Sequence, residues 1–146
     1  MSMCGEILSM LPAPAARDAA QAAPLTLAYI GDTVYDLYVR TLLLQKSDAA
    51  VHSLHMMATK LVRASAQARV SERLLPLFTE QEAAVFRRGR NAHIGTVPRS
   101  ASIGDYRAAT GLEAVLGYLF LKGEDARIRE LMTAALLQQE EDAPPQ

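Results

Sequence analysis

The chain has 146 residues, enough for one domain, and half of them are hydrophobic, enough for a real core. A formal net charge of -1 neither favours nor excludes a polyanionic partner, while the single cysteine, Cys4, excludes a disulfide framework and a cysteine-built metal cage. No apolar stretch has the length or flanks of a signal peptide or membrane span, because Glu6, Pro12, Pro14, Arg17 and Asp18 interrupt the N-terminal apolar residues; a cytoplasmic protein with no membrane partner is the expectation.

Residues 1–23, rich in Ala and Pro, read as a flexible lead-in, and the ordered domain is placed at 24–139. From Leu25 to about Gln45 the pattern is helical, with Leu27, Ile30, Val34, Leu37 and Leu44 on one stripe and Pro24 suited to the first turn. Ser47 and Asp48 offer N-caps for a second helix, which carries Val51, Leu54, Ala58, Leu61, Val62 and Ser65 on one face and runs to about Leu75, before Pro76. Thr79 and Glu82 form a capping box for a third helix through about Arg88. Residues 89–104, with Gly89, Gly95, Pro98 and Gly104, read as a loop. A fourth helix spans about Asp105 to Lys122 and stops at Gly123; a fifth runs from about Glu124 to Gln138. The acidic, proline-bearing residues 140–146 read as a disordered tail. With no repeat and no convincing strand, the fold class is all-α.

Charge placement is the informative anomaly. From Ala19 to Tyr35 the only charged residue is Asp32; from Ala108 to Leu121 it is Glu113. Both stretches are apolar nearly all round, as buried helices are. A carboxylate there is costly unless it is paired, hydrogen-bonded or bound to metal. Gly31 beside Asp32, and Gly111 and Gly117 around Glu113, suggest that these two helices approach closely at the acids, since a helix-interior glycine costs roughly 1 kcal/mol relative to alanine. Asp36, one turn beyond Asp32, shares its face. Clustered carboxylates without His or Cys suit a hard divalent cation such as Mg2+ or Mn2+, and that arrangement suits phosphodiester hydrolysis. Equally, Asp32 could bond a neighbouring helix end and Glu113 could pair with an arginine from the middle of the chain.

That middle is basic. Lys60 to Arg107 holds nine Lys or Arg against four Asp or Glu. Within it, Arg87, Arg88, Arg90, Arg99, Asn91, His93 and Thr96 lie among glycines at a helix-to-loop junction. Arginine forks suit phosphate oxygens, and the absence of interleaved aromatics favours duplex backbone over stacked single-strand bases. Arg63, Arg69 and Arg73 extend this surface or are simply solvated. His52, His55 and His93 form no metal-ligand pattern.

The run Leu27-Ala28-Tyr29-Ile30-Gly31-Asp32-Thr33-Val34-Tyr35-Asp36 resembles the signature helix of the ribonuclease III family, and most closely that of its Mini-III branch. Arg87-Arg88-Gly89-Arg90-Asn91-Ala92, then Gly95-Thr96 and Pro98, is similar to the loop of that branch. Tyr106-Arg107 leading to Thr110-Gly111-Leu112-Glu113-Ala114-Val115-Leu116-Gly117-Tyr118-Leu119-Phe120-Leu121 resembles its third block, and His55 through Ala68 a weaker one. Three ordered blocks at compatible spacing are far more specific than one motif. The resemblance implies a ribonuclease III-like helical endonuclease domain, in a short form without an appended RNA-binding domain. It implies a homodimer cleaving double-stranded RNA, with precursor large-subunit ribosomal RNA as substrate and a ribosomal protein as a possible assistant. Asp32 and Glu113 become the catalytic, Mg2+-binding acids, and Arg88, Arg90, Asn91 and Thr96 become candidate RNA contacts. Full-length family members carry four acids per site; two of those positions are Ala28 and Thr110 here, a reduction the Mini-III branch shares. His93 and Ile94 replace a basic and a hydroxyl residue of the branch's loop, and Asp105 stands where a neutral residue is common, departures that bear on substrate choice. Two rival readings remain at this point: a non-catalytic duplex-RNA-binding or ribosome-assembly module, and a helical protein-interaction domain.

Overall fold

A computed structural model describes residues 3–10, 18–93, 95–97, 99 and 101–137. Among these residues seven α-helices follow one another: α1 (Met3–Leu8), α2 (Pro24–Lys46), α3 (Val51–Val62), α4 (Ala64–Leu74), α5 (Glu80–Arg90), α6 (Ile103–Leu121) and α7 (Asp125–Leu136). A short 3-10 turn at Leu75–Leu77 holds Pro76. There is no strand among the described residues, and no helix is long and apolar enough to cross a membrane.

The bundle is organised around α6, which packs most extensively on α2, then on α5 and α4. Its residues from Ala109 to Phe120 are buried apart from Glu113, as its apolar circumference requires. Ser102 caps its start by accepting from the Asp105 N–H at 3.1 Å, and Asp105 complements the positive end of the helix dipole. At its end Gly123 takes φ +74°, with the Glu124 N–H bonded to the Leu119 carbonyl and the Gly123 N–H to that of Phe120, the double closure that favours glycine.

On α2 the buried residues are Leu27, Ala28, Gly31, Val34, Tyr35, Val39 and Leu43, whereas Leu37 and Leu44 are exposed. A stripe through Leu37 and Leu44 follows a 3.5-residue period. A straight helix drifts about 20° per heptad from that period, so Val39 and Leu43 take the inward places in the second half. The glycines fix the crossings. A Cβ at Gly31 would run into the Glu113 carbonyl, and one at Gly117 into that of Leu27, so α2 and α6 touch backbone to backbone beside Glu113. Gly111 serves a different crossing: a Cβ there would lie 2.8 Å from the Phe86 carbonyl, and one at Gly89 2.9 Å from the Gly111 Cα, which seats α5 on α6.

Several boundaries differ from expectation. The single helix expected from residue 51 to about 75 is two, broken where Arg63 is extended (φ -63°, ψ 156°). The carbonyls freed there find side-chain donors: the Tyr35 hydroxyl donates to Leu61 at 3.0 Å and the Gln67 amide to Val62 at 2.8 Å. Neither Ser47 nor Asp48 caps α3, whose N-cap is Ala50; the Ser47 hydroxyl accepts from Ala49 instead. The Thr79–Glu82 capping box is present, but α5 continues to Arg90, so Gly89 is a buried helix residue and the connection to α6 is shorter. Glu82 also takes Arg127 of α7 in a two-armed ion pair at 2.8 and 2.9 Å, and Arg127 donates to the Leu77 carbonyl. Within the stretch read as a lead-in, α1 docks with Cys4 buried and its N–H on the Asp125 carboxylate, and burial pushes the Cys4 thiol up to about 12. The tail at 140–146, Ile94 and Pro98 lie outside the described residues.

Candidate active site

Asp32 lies on the flank of the buried face of α2, and Glu113 sits midway along α6, one backbone contact away through Gly31. Together they line a cleft of about 570 Å³, with Thr33 and Asp36 from α2, Val62, Arg63, Ala64 and Gln67 from the α3–α4 break, and Ala101, Tyr106, Ala109 and Thr110 at the start of α6. A second opening on the other flank shares Asp32, Thr33, Tyr106, Thr110 and Glu113 and adds Leu25, Ala28, Tyr29 and Ile30. The two lone acids therefore meet, as the glycine spacing suggested.

The electrostatics of the pair are strained. Burial, and then the neighbouring Asp32 charge, push the Glu113 carboxyl up to about 8 against a pull downward from the Gln67 amide. Asp32 is raised as well, by partial desolvation and then by Asp36. Asp36 itself pairs with Arg40 at 2.9 Å on the exposed side of α2. Beneath the acids, burial pushes the Tyr35 phenol up to about 12, with Arg73 opposing and Glu113 reinforcing. Among the described residues no arginine pairs with Glu113; its hydrogen-bond partner is the neutral amide of Gln67, Nε2 to Oε1 at 3.1 Å. Asp32 caps no helix end there either.

This arrangement fits a hard divalent cation. A partly buried carboxylate and a second carboxylate line one cleft, and among the described residues neither is held in an ion pair, although Arg63 lines the same cleft. The donors are oxygens only, as Mg2+ or Mn2+ prefers. Among the described residues no three His, Cys, Asp or Glu side chains converge, so Asp32 and Glu113 would be direct protein ligands, leaving places for water and substrate phosphate.

Arg88, Arg90, Asn91 and Thr96 are not among the residues lining the cleft. Arg88 donates to the Ala22 carbonyl at 3.1 Å, tying the end of α5 to the approach to α2. Arg90 stacks 5.8 Å above the Phe86 ring and reaches the Asn91 side chain, Asn91 caps α5, and Thr96 is exposed. His52, His55 and His93 are exposed and outside the cleft. Two cleft residues are not assigned to it by the sequence. Arg63 reads there as an extension of the basic surface or as a solvated helix position, because the break that brings it to the cleft has no Pro or Gly to announce it. Gln67 did leave a signal, a polar side chain in helical register with Val70 and Leu74 of the core.

Residues 25–124 match the ribonuclease III domain family, a span that takes in both acids, Gln67 and the arginine junction. The chain is 47% identical over 112 residues to a Mini-ribonuclease 3 of Symbiobacterium thermophilum, covering 77% of this chain and 86% of that one. The chain belongs to the Mini-ribonuclease 3 branch of the ribonuclease III family. A Mini-ribonuclease 3 of Clostridium tetani is 42% identical over 128 residues, 87% of this chain and 85% of that one. The fold of this Mini-ribonuclease 3 family member matches the crystal structure of protein FN1578 from Fusobacterium nucleatum at a TM-score of 0.76 and 25% identity, covering 84% of this chain and 98% of that one. Membership makes the chain an endoribonuclease of the ribonuclease III type.

Proposed function

We propose that this endoribonuclease cleaves double-stranded RNA, with precursor large-subunit ribosomal RNA in the cytoplasm as its natural substrate, using Mg2+ (or Mn2+) held by Asp32 and Glu113. The observation that carries the reading is the meeting of the two carboxylates in one cleft without a cationic side chain on Glu113. When bound, the cation lowers the pKa of a water and neutralises charge on the phosphate. Backbone contact between α2 and α6 keeps the two acids at a fixed separation, so little reorganisation is needed as charge develops. Arg63, which lines the cleft, supplies a guanidinium suited to a backbone phosphate. Arg90, Asn91 and Thr96 offer a second, more distant contact to the duplex, while the bond from Arg88 to Ala22 gives that residue a structural duty besides. The reading includes a homodimer, supported by the exposed Tyr29 and Leu25 at the edge of the second opening, and a ribosomal protein as an assisting partner.

A labelled RNA duplex with Mg2+ tests this. The wild type is expected to make paired cuts. Asp32→Asn and Glu113→Gln should each lose more than about 100-fold in rate, beyond the range typical of residues that only support metal ligands, and still bind the duplex. Binding without cutting under both Mg2+ and Mn2+ would leave a non-catalytic duplex-RNA-binding or ribosome-assembly module.

A further inference from the structure

Gln67 is a buried polar side chain, only 2% exposed, in a helix whose other inward residues are small or apolar. Both of its N–H groups are committed, one to the Val62 carbonyl at 2.8 Å and one to Glu113 Oε1 at 3.1 Å. Its own Oε1 is buried without a partner among the described residues. The amide cannot gain by turning over, because its oxygen would then face a carbonyl and a carboxylate oxygen. Burying an amide with an unpartnered oxygen costs stability that an apolar side chain of the same shape would not. Capping Val62 requires only one of the two N–H groups. The second goes to the acid, and the α3–α4 break aims it there by leaving the Val62 carbonyl outside the helical ladder.

We propose that Gln67 is a positioning residue: clamped to Val62, its amide holds one oxygen of Glu113 so that the other, Oε2, meets the divalent cation in a fixed orientation. The proposal rests on the reading of Asp32 and Glu113 as cation ligands. It explains why the helix breaks where it does: an unbroken helix would use the Val62 carbonyl internally and leave the amide unclamped.

The test is Mn2+ binding to the metal-free full chain, followed by calorimetry. Gln67→Met, similar in shape but with no donor, is expected to bind Mn2+ roughly 10–100-fold more weakly than the wild type, the range seen when a ligand-orienting partner is removed. In EDTA it should stay folded at the assay temperature while melting below the wild type, because the Val62 carbonyl loses its donor. At saturating Mn2+ its kcat on duplex RNA should fall by a similar factor with KM unchanged. Gln67→Asn, one methylene too short to span both acceptors, should behave alike. Wild-type Mn2+ affinity in a folded Gln67→Met overturns the proposal, as does a loss that merely tracks an unfolded fraction. If the variants do not fold, the wild type decides: the Gln67 side-chain N–H resonances should shift on Mg2+ addition and saturate together with the Glu113 backbone amide, and resonances that stay put overturn the proposal. Unaltered Mn2+ binding by Glu113→Gln would sink the two-acid reading itself, and the proposal with it.

Discussion

At Glu113 the site and the stability of the chain oppose each other. The carboxyl titrates near 8 in the folded chain and near 4.5 when free of its surroundings. Between those values the metal-free folded chain keeps a proton that the unfolded chain has released. Stability is therefore fully present below about 4.5 and falls as the pH rises toward about 8. Asp32, also raised, acts in the same sense. Glu82, lowered by Arg127 and Thr79 against its own burial, acts in the opposite sense, but only below the ordinary carboxylate range. Urea midpoints in EDTA should accordingly drop between about pH 5.5 and about pH 8, by roughly a few kcal/mol in unfolding free energy. Glu113→Gln, which has no proton to lose, should flatten that slope and stand at least as stable as the wild type at the upper end. Added Mg2+, which takes the ionised form, should recover the wild type's loss. An equally steep slope in Glu113→Gln would place the pH dependence elsewhere.

Between elements, backbone contact at two crossings sets the geometry. A methyl group at Gly31 has no room against the Glu113 carbonyl, so Gly31→Ala must push α2 away from α6. The expected cost is about 1–3 kcal/mol in urea unfolding, together with loss of cleavage, because the acids part. Gly95→Ala, in open space, should fall within about 0.5 kcal/mol of the wild type. Equal midpoints for the two variants would mean that the crossing yields easily. How far the sequence revealed these elements follows from the range of the forces involved. The capping box at Thr79, the stop at Gly123 and the isolation of Asp32 and Glu113 are local or periodic signals, and all are readable from one chain. The pairing of Gly111 with Gly89, rather than with α2, depends on which helix arrives at that face, and no local signal carries it. The break at Arg63 is likewise a tertiary choice: Tyr35 and Gln67 satisfy the freed carbonyls from other parts of the fold, so intrinsic helix propensity is overruled where no breaker residue stands.

For the whole molecule, the question is what covers Tyr29. The side chain is 83% exposed although it lies three residues from Asp32 on the helix that builds the site, and Leu25, 43% exposed, lies one turn away on the same face. Large apolar groups singly exposed are common, but these two line an opening that reaches the acids themselves. A second copy covering them would exclude water from one flank of the carboxylates and leave the other, the Arg63 side, open to RNA, and two such sites in one particle would make the paired cuts proposed above. A near-neutral chain of net charge -1 carries little repulsion against such self-association. Sedimentation should therefore show a particle of two chains at micromolar concentration. Tyr29→Arg, which sets a charge where the partner would desolvate it, should shift the particle to one chain with helix content unchanged. Double-strand cutting should give way to slow single nicks. A wild type that sediments as one chain at every concentration, or a Tyr29→Arg dimer of undiminished affinity, would show that the covering surface lies elsewhere.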